Sequence, residues 1–144
     1  MTTSITINGD LLIGASVHHG SAAAFRAIDP ATGVSLEPAF GGASLDDADR
    51  ACTLAQQAFD SYRETSPKAR AAFLEQIAQN ILDLGPVLIE RAMQESGLPQ
   101  ARLEGERGYT VGQLRLFAKV VRAAASRPVL AQDRPRPGRR VRRQ

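Results

Sequence analysis

The spacing of apolar residues changes near residue 40, and this change constrains the fold more than any other feature of the sequence. Up to that point, short extended runs alternate with turn signals. Beyond it, apolar residues recur every three or four positions, which is the spacing of an amphipathic helix. A block of strands followed by a block of helices predicts an α+β fold.

The first forty residues contain two turn signals. Asn8-Gly9 is a favoured type I′ pair and predicts a β-hairpin over residues 4–13. The run from Pro30 to Gly33 predicts a second turn, because proline presets φ and glycine accepts a positive φ. Extended segments are expected on either side of it, at 25–29 and 34–40.

About four helices are predicted after these strands. Ser44, followed by three aspartates in the first turn, marks the start of the first helix, and Ser66-Pro67 marks the start of the second. The third begins at Gly85-Pro86 and ends near Gly97, and the fourth runs to about residue 125. Apolar stripes predict burial of Ala48, Ala51, Cys52, Ala55, Ala58, Phe59 and Tyr62 on the first helix, Phe73, Leu74, Ile77, Ala78, Ile81 and Leu84 on the second, and Leu114, Phe117, Ala118 and Val121 on the fourth.

The net charge of +3 conceals a division between a body, residues 1–126, and a tail, residues 127–144. The tail contains seven arginines and one aspartate, a net charge of +6, so the body carries −3. Three prolines and the loss of helical periodicity predict that the tail is disordered. An acidic body does not favour a nucleic-acid or membrane partner. A single cysteine, no signal-peptide pattern and no apolar run of about 18 residues indicate a soluble cytoplasmic protein.

A series of short motifs resembles the N-terminal part of the aldehyde dehydrogenase superfamily. In chain order, the motifs are Ile7-Asn8-Gly9, Asp29-Pro30-Ala31-Thr32-Gly33, the alanine-rich run from Ala51 to Phe59, Ser66-Pro67 with Arg70, and Glu95-Ser96-Gly97-Leu98-Pro99. Their order and spacing agree with the family from about residue 5 to Arg122. The segments at 97–103, 105–108 and 113–118 resemble the α-ketoglutarate semialdehyde (2,5-dioxovalerate) dehydrogenases in particular.

The resemblance implies a parent enzyme that oxidises an aldehyde to a carboxylate with NAD or NADP and is a homo-oligomer. This chain would form part of its α/β cofactor domain. The family's nucleophilic cysteine, its glutamate and its dinucleotide site lie beyond the matched region. We therefore expect a truncated chain with no catalytic, cofactor-binding or metal-binding residues and no dehydrogenase activity of its own.

The family places the fourth helix at the substrate entrance, so Arg107 and Tyr109 are substrate-entrance candidates. Relatives tend to have arginine at the position of Tyr109. An arginine there could pair with a substrate carboxylate through two parallel hydrogen bonds, which a tyrosine cannot do.

Other residues that suggest chemistry also have structural interpretations. Cys52 falls on the apolar stripe of the first helix, where a thiol acts as a small buried hydrophobe rather than a nucleophile. His18 and His19 lack a cysteine or carboxylate at ligand spacing, which favours a solvated loop over a metal site. The glycines at 105, 108 and 112 do not match a phosphate-binding motif and favour close helix packing. The arginines at 102, 107 and 115 favour a charged helix face.

Two hypotheses follow for the chain as a whole. In the first, the Arg/Pro-rich tail is an out-of-frame reading of a GC-rich gene or a truncated gene model, and the body is a dehydrogenase fragment with exposed apolar faces. In the second, the chain is a small helical module with an Arg-rich arm that contacts nucleic-acid phosphates. The body offers no recognition motif or basic helix face for this second role.

Overall fold

The computed structural model describes residues 7–126, and these residues form short strands followed by helices. The predicted α+β class is confirmed. The strands are β1 (Leu11–Ile13), β2 (Ser16–His18), β3 (Ala22–Phe25) and β4 (Phe40–Gly42), and the helices are α1 (Leu45–Arg63), α2 (Pro67–Asp83), α3 (Gly85–Ser96) and α4 (Gln100–Ser126). The predicted tail, 127–144, lies outside the described residues.

The first hairpin lies further along the chain than the Asn8-Gly9 signal predicts. β1 pairs with β2 in antiparallel register, with Ile13 opposite Ser16, so the turn is at residues 14–15. Gly9 does have a positive φ of 72°. A Cβ there would collide with the carbonyl oxygen of Ala39, so position 9 serves a close backbone approach. The predicted position of the hairpin turn is therefore wrong. An Asn-Gly pair indicates a residue with positive φ, but a positive φ can serve a close backbone approach as well as a hairpin turn.

The second sheet pairs β3 with β4, and the predicted turn lies in the loop between these two strands. The rings of Phe25 and Phe40 stack across it with centroids 5.6 Å apart. Within the loop, the Gly33 amide donates to the Asp29 carbonyl at 2.8 Å, which confirms the predicted turn. The strand expected at 34–40 is reduced to a single bridge at Ser35, and β4 begins only at Phe40.

Helix α1 begins where its sequence predicts. The Ser44 side chain accepts a hydrogen bond from the Asp47 amide, and the Asp47 carboxylate accepts one from the Ser44 amide, forming a capping box. The predicted apolar stripe, however, is not buried: α1 has no buried residue, and Phe59 and Tyr62 are 62% and 51% exposed. α1 contacts β1, and in the turn that follows β1 a Cβ at Gly14 would lie 2.9 Å from Leu54 Cδ1.

The core of the described chain lies where α2 packs against α4, with α3 alongside. Its fully buried members are small: Ala71 and Ala78 of α2 and Ala118 of α4 have no exposed surface. Alanines at the contact allow the two helix backbones to approach closely. Phe73 and Phe117, which the apolar pattern predicted in the core, are 55% and 56% exposed, so that prediction is wrong for these two residues.

The ends of α2 and α3 follow local signals. Ser66 caps α2 by accepting from the Ala69 amide, and Pro67 occupies the first turn. Gly97 ends α3 in the left-handed conformation, with φ 68°. Among residues 7–126, no helix combines the length and apolar character needed to cross a membrane.

Candidate functional site

The sequence candidates Arg107 and Tyr109 both lie on α4, but the helix separates them. Two residues correspond to about 200° of rotation, so the side chains leave the helix in nearly opposite directions. Arg107 points towards the junction of α2 and α3, whereas the Tyr109 side chain is 67% exposed. The structure does not bring the two candidates into one site.

Arg107 joins α4 to the break between α2 and α3. Its Nη1 donates to the carbonyl oxygen of Gly85 at 2.8 Å. Gly85 has a φ of 61°, which lets the chain turn sharply from one helix into the next. The guanidinium makes a charge-assisted hydrogen bond to this carbonyl, which connects α4 to the start of α3. This contact gives Arg107 a structural role.

Two clefts flank Arg107. One, of about 320 Å³, is lined by polar and apolar residues that include Glu90, Gln100 and Glu104. The other, of about 390 Å³, is almost wholly apolar and lies between α2, α3 and α4, lined by Ile81 and Leu103 among others. Both clefts are open to solvent, and the Arg107 guanidinium forms part of each wall.

Tyr109 borders a shallow depression on the outer side of α4. Its other lining residues are Ala101, Arg102, Gly105 and Glu106. The Arg102 guanidinium and the Glu106 carboxylate form an ion pair of 2.7 Å along one helix turn. The local positive charge of Arg102 is therefore already paired.

The three glycines of α4 lie on its exposed side, near Tyr109. The prediction that Gly105, Gly108 and Gly112 permit close helix packing is wrong for the described chain. A Cβ at any of the three would have no neighbour within 4 Å. The glycines leave open space beside the Tyr109 ring.

Cys52 is exposed, which contradicts the expectation that it packs in the core. It lies in the second turn of α1, a helix that buries none of its residues. The clefts described above are formed by α2, α3 and α4, so Cys52 lines none of them. A nucleophilic thiol needs a neighbouring cation or base that stabilises its thiolate, usually in a cleft.

His18 and His19 are paired, not freely solvated as the loop interpretation predicted. His18 Nε2 lies 3.0 Å from Asp47 Oδ1, and His19 Nδ1 lies 3.4 Å from Asp10 Oδ1. Among the described residues, no group of three or more histidine, cysteine or carboxylate side chains has the arrangement of a metal site.

Sequence reasoning also missed the polar links between elements. Arg91 of α3 donates to the Glu37 carbonyl and lies 5.9 Å from the centroid of the Phe40 ring, so it joins α3 to β4. Arg122 forms a two-pronged ion pair with Glu75, and this contact lowers the pKa of the Glu75 carboxyl. The two residues are 47 positions apart, so no local pattern could indicate the pair.

Comparison with known proteins gives the family. The model of the aldehyde dehydrogenase family matches residues 17–144. The chain belongs to the aldehyde dehydrogenase family. The match continues past Arg122 and includes the Arg/Pro-rich segment, so the prediction that the resemblance ends at Arg122 is wrong.

Two curated proteins similar to this chain are both named as alpha-ketoglutaric semialdehyde dehydrogenases. Alpha-ketoglutaric semialdehyde dehydrogenase 2 of Azospirillum brasilense is 58% identical over 117 residues, which cover 81% of this chain and 22% of that protein. Alpha-ketoglutaric semialdehyde dehydrogenase of Acinetobacter baylyi is 51% identical over 83 residues, 58% of this chain and 16% of that protein. The chain thus spans about a fifth of the length of these relatives.

Proposed function

We propose that this chain is the N-terminal part of an NAD(P)-dependent aldehyde dehydrogenase whose substrate is α-ketoglutarate semialdehyde or a similar aldehyde. The parent enzyme would oxidise the aldehyde to the carboxylate and would act as a homo-oligomer. The observation that carries this proposal is the 58% identity to the Azospirillum enzyme over 117 residues. The motifs at 97–103 and 113–118 support the same subfamily.

We further propose that these 144 residues do not catalyse the reaction alone. The family's chemistry requires a thiolate nucleophile held beside a bound dinucleotide. The single cysteine, Cys52, is exposed on a helix away from the clefts. The clefts beside Arg107 lie between helices, whereas a nicotinamide cofactor is normally held in a crevice at the edge of a parallel sheet. The sheets of residues 7–126 are two-stranded and antiparallel.

Of the two substrate-entrance candidates, we propose that Tyr109 is the one that contacts a substrate. Its ring is largely exposed, and neighbouring glycines leave room beside it. Arg107 would have to give up its hydrogen bond to Gly85 first. The Tyr109 hydroxyl can donate one hydrogen bond to a substrate carboxylate, where an arginine would donate two.

A chimera tests the proposal. The 117 matching residues of this chain would replace their counterparts in the Azospirillum enzyme, and NAD(P)H formation from α-ketoglutarate semialdehyde would be followed at steady state. We expect an active chimera, in which Tyr109→Arg lowers KM for the semialdehyde with little change for an uncharged aldehyde. A folded chimera without activity would contradict the family function, and an unchanged KM ratio would contradict the role of Tyr109.

A further inference from the structure

The apolar cleft beside Arg107 combines a hydrocarbon wall with a single cation. Its volume is about 390 Å³, and it lies between α2, α3 and α4. The polar groups of its wall are the side chains of Glu106, Arg107 and Thr110. The apolar lining residues, all partly or fully buried, are Ile81, Leu84, Leu88, Ile89, Ala92 and Leu103. We call the cleft defined by these residues the leucine cleft.

Arg107 is held in position by one hydrogen bond and keeps further donors. Nη1 donates to the Gly85 carbonyl oxygen at 2.8 Å. In the described part of the chain, Nε and Nη2 donate to no acceptor. A guanidinium has five N–H groups in a planar fork, and two of them can bind one carboxylate. A ligand in the leucine cleft can therefore bond to Arg107 while the bond to Gly85 stays intact, which a ligand beside Tyr109 on the other side of α4 cannot.

The positive charge of Arg107 is not cancelled within the cleft. Glu106 is the acidic residue of the wall, and its carboxylate is paired with Arg102 at 2.7 Å. Among the described residues, Arg107 forms no ion pair. The carboxylates of Glu90 and Glu104 line the other cleft beside Arg107. The wall thus offers one positive charge next to apolar side chains, where the low polarity strengthens a charge-assisted hydrogen bond.

These features fit an anion with one charge and a hydrocarbon chain. A second charge would lie against leucine and isoleucine side chains, and burying a charge without a partner is costly. A neutral hydrocarbon would give the remaining Arg107 donors no acceptor in the cleft. At about 30 Å³ for each water-sized group, a volume of 390 Å³ has room for about a dozen such groups. A chain of about eight to ten carbons that includes a carboxylate fills this volume.

We propose that the leucine cleft binds a free medium-chain carboxylate, with the carboxylate on Arg107 and the alkyl chain against the apolar wall. Thr110 lies one turn from Arg107 on the same face of α4, and its hydroxyl can donate a further hydrogen bond. A free acid fits this cleft better than a lipid in a bilayer. The body carries a net charge of −3, so an anionic membrane surface repels it.

Methyl NMR of the intact chain tests this proposal. The chain, labelled at isoleucine, leucine and valine methyl groups, would be titrated with sodium decanoate below the concentration at which decanoate forms micelles. We expect saturable shifts at Ile89 and Leu103, and none at Leu116 and Val120, which are exposed on α4 outside the cleft. From hexanoate to decanoate, Kd should fall about two- to four-fold per added methylene, as expected for hydrocarbon that leaves water.

A matched ligand and two variants isolate the contribution of Arg107. 1-Decanol has a chain of the same length without the charge, and its Kd should be about ten-fold higher than that of decanoate. Arg107→Gln should raise Kd for decanoate about ten-fold and leave Kd for decanol unchanged. Arg115→Gln, which removes a cation from α4 outside the cleft, is the control and should keep the wild-type affinity.

Ala92→Leu tests the same cleft without changing its charge. The larger side chain would occupy part of the cleft and should weaken the binding of both ligands, so the proposal remains testable if Arg107→Gln does not fold. Equal affinity for decanoate and decanol, or equal shifts at Ile89 and Leu116, would overturn the proposal. Co-sedimentation with phosphatidylglycerol vesicles, without saturable binding of free decanoate, would overturn the choice of a free acid.

Discussion

At the scale of single residues, the glycines of α4 show how exposure decides the effect of a substitution. Gly108 lies in the interior of a helix, and a Cβ there would meet no atom within 4 Å. Glycine in a helix interior costs about 1 kcal/mol relative to alanine because more backbone freedom is lost on folding. We expect Gly108→Ala to raise the free energy of unfolding by up to about 1 kcal/mol in urea denaturation.

At Gly97, in contrast to Gly108, replacing glycine by alanine should be unfavourable. It ends α3 with a φ of 68°, and a Cβ there would press on Pro30 Cγ at 3.1 Å. Gly97→Ala should therefore lower the free energy of unfolding. If Gly108→Ala lowers the free energy of unfolding as Gly97→Ala does, then Gly108 does not lie on an open face of α4.

The ion pair between Glu75 and Arg122 predicts a pH dependence of stability. The pKa of Glu75 is lower in the folded chain than its ordinary value of 4.5, mainly because of the hydrogen bonds from Arg122. A lowered carboxyl pKa stabilises the fold fully above that ordinary value, and the contribution is lost as the pH falls through the folded pKa. Wild type should lose more stability than Glu75→Gln between pH 5 and pH 3, measured by thermal melts. Parallel losses in the two proteins would contradict this.

At the scale of elements, the α2–α4 contact depends on small side chains. Ala118, on α4, has no exposed surface. A larger side chain would force the helices apart or into strained rotamers, which typically costs about 1–3 kcal/mol. We expect Ala118→Leu to lower the urea midpoint accordingly. Ala123→Leu, on the exposed side of α4, is the control and should change stability by less than about 0.5 kcal/mol.

The element boundaries that depend on local chemistry could be predicted from the sequence. Ser44, Ser66 and Gly97 form hydrogen bonds with backbone groups three or four residues away. Each capping residue and its partner are therefore close together in the sequence. The faces that are buried could not be predicted in the same way. Phe73 and Phe117 fit the apolar periodicity but are more than half exposed, whereas the alanines of α2 and α4 are fully buried.

The candidate site also combines features that the sequence predicts with contacts that it does not predict. The motifs around Arg107 and Tyr109 indicated the correct family, because sequence similarity is read along the chain. The separation of the two side chains follows from the helical repeat and could have been foreseen. The bond from Arg107 to Gly85 could not, because it joins residues 22 positions apart across a helix junction.

At the scale of the whole molecule, the described chain exposes many large apolar side chains. They include Leu12, Phe25, Leu45, Phe59, Tyr62, Phe73, Leu116, Phe117 and Val120. Exposed apolar surface of this extent drives association in water. We expect the purified chain to show concentration-dependent light scattering and to bind a hydrophobic dye. Phe117→Gln should reduce both without lowering the free energy of unfolding by more than about 0.5 kcal/mol.

A monodisperse monomer with a cooperative melt would contradict this expectation. It would mean that the exposed faces are covered within the chain itself. Concentration-dependent scattering that persists unchanged in Phe117→Gln would instead indicate association through another surface.

We propose that these residues form the start of an aldehyde dehydrogenase and do not contain its cofactor site. Isothermal titration calorimetry of the purified chain with NAD⁺ and with NADP⁺ tests this claim most directly, with the Azospirillum enzyme as the positive control under the same conditions. Our account predicts no saturable heat for the chain with either dinucleotide. Saturable one-to-one binding of either dinucleotide would contradict it, because a cofactor site would then exist within these 144 residues.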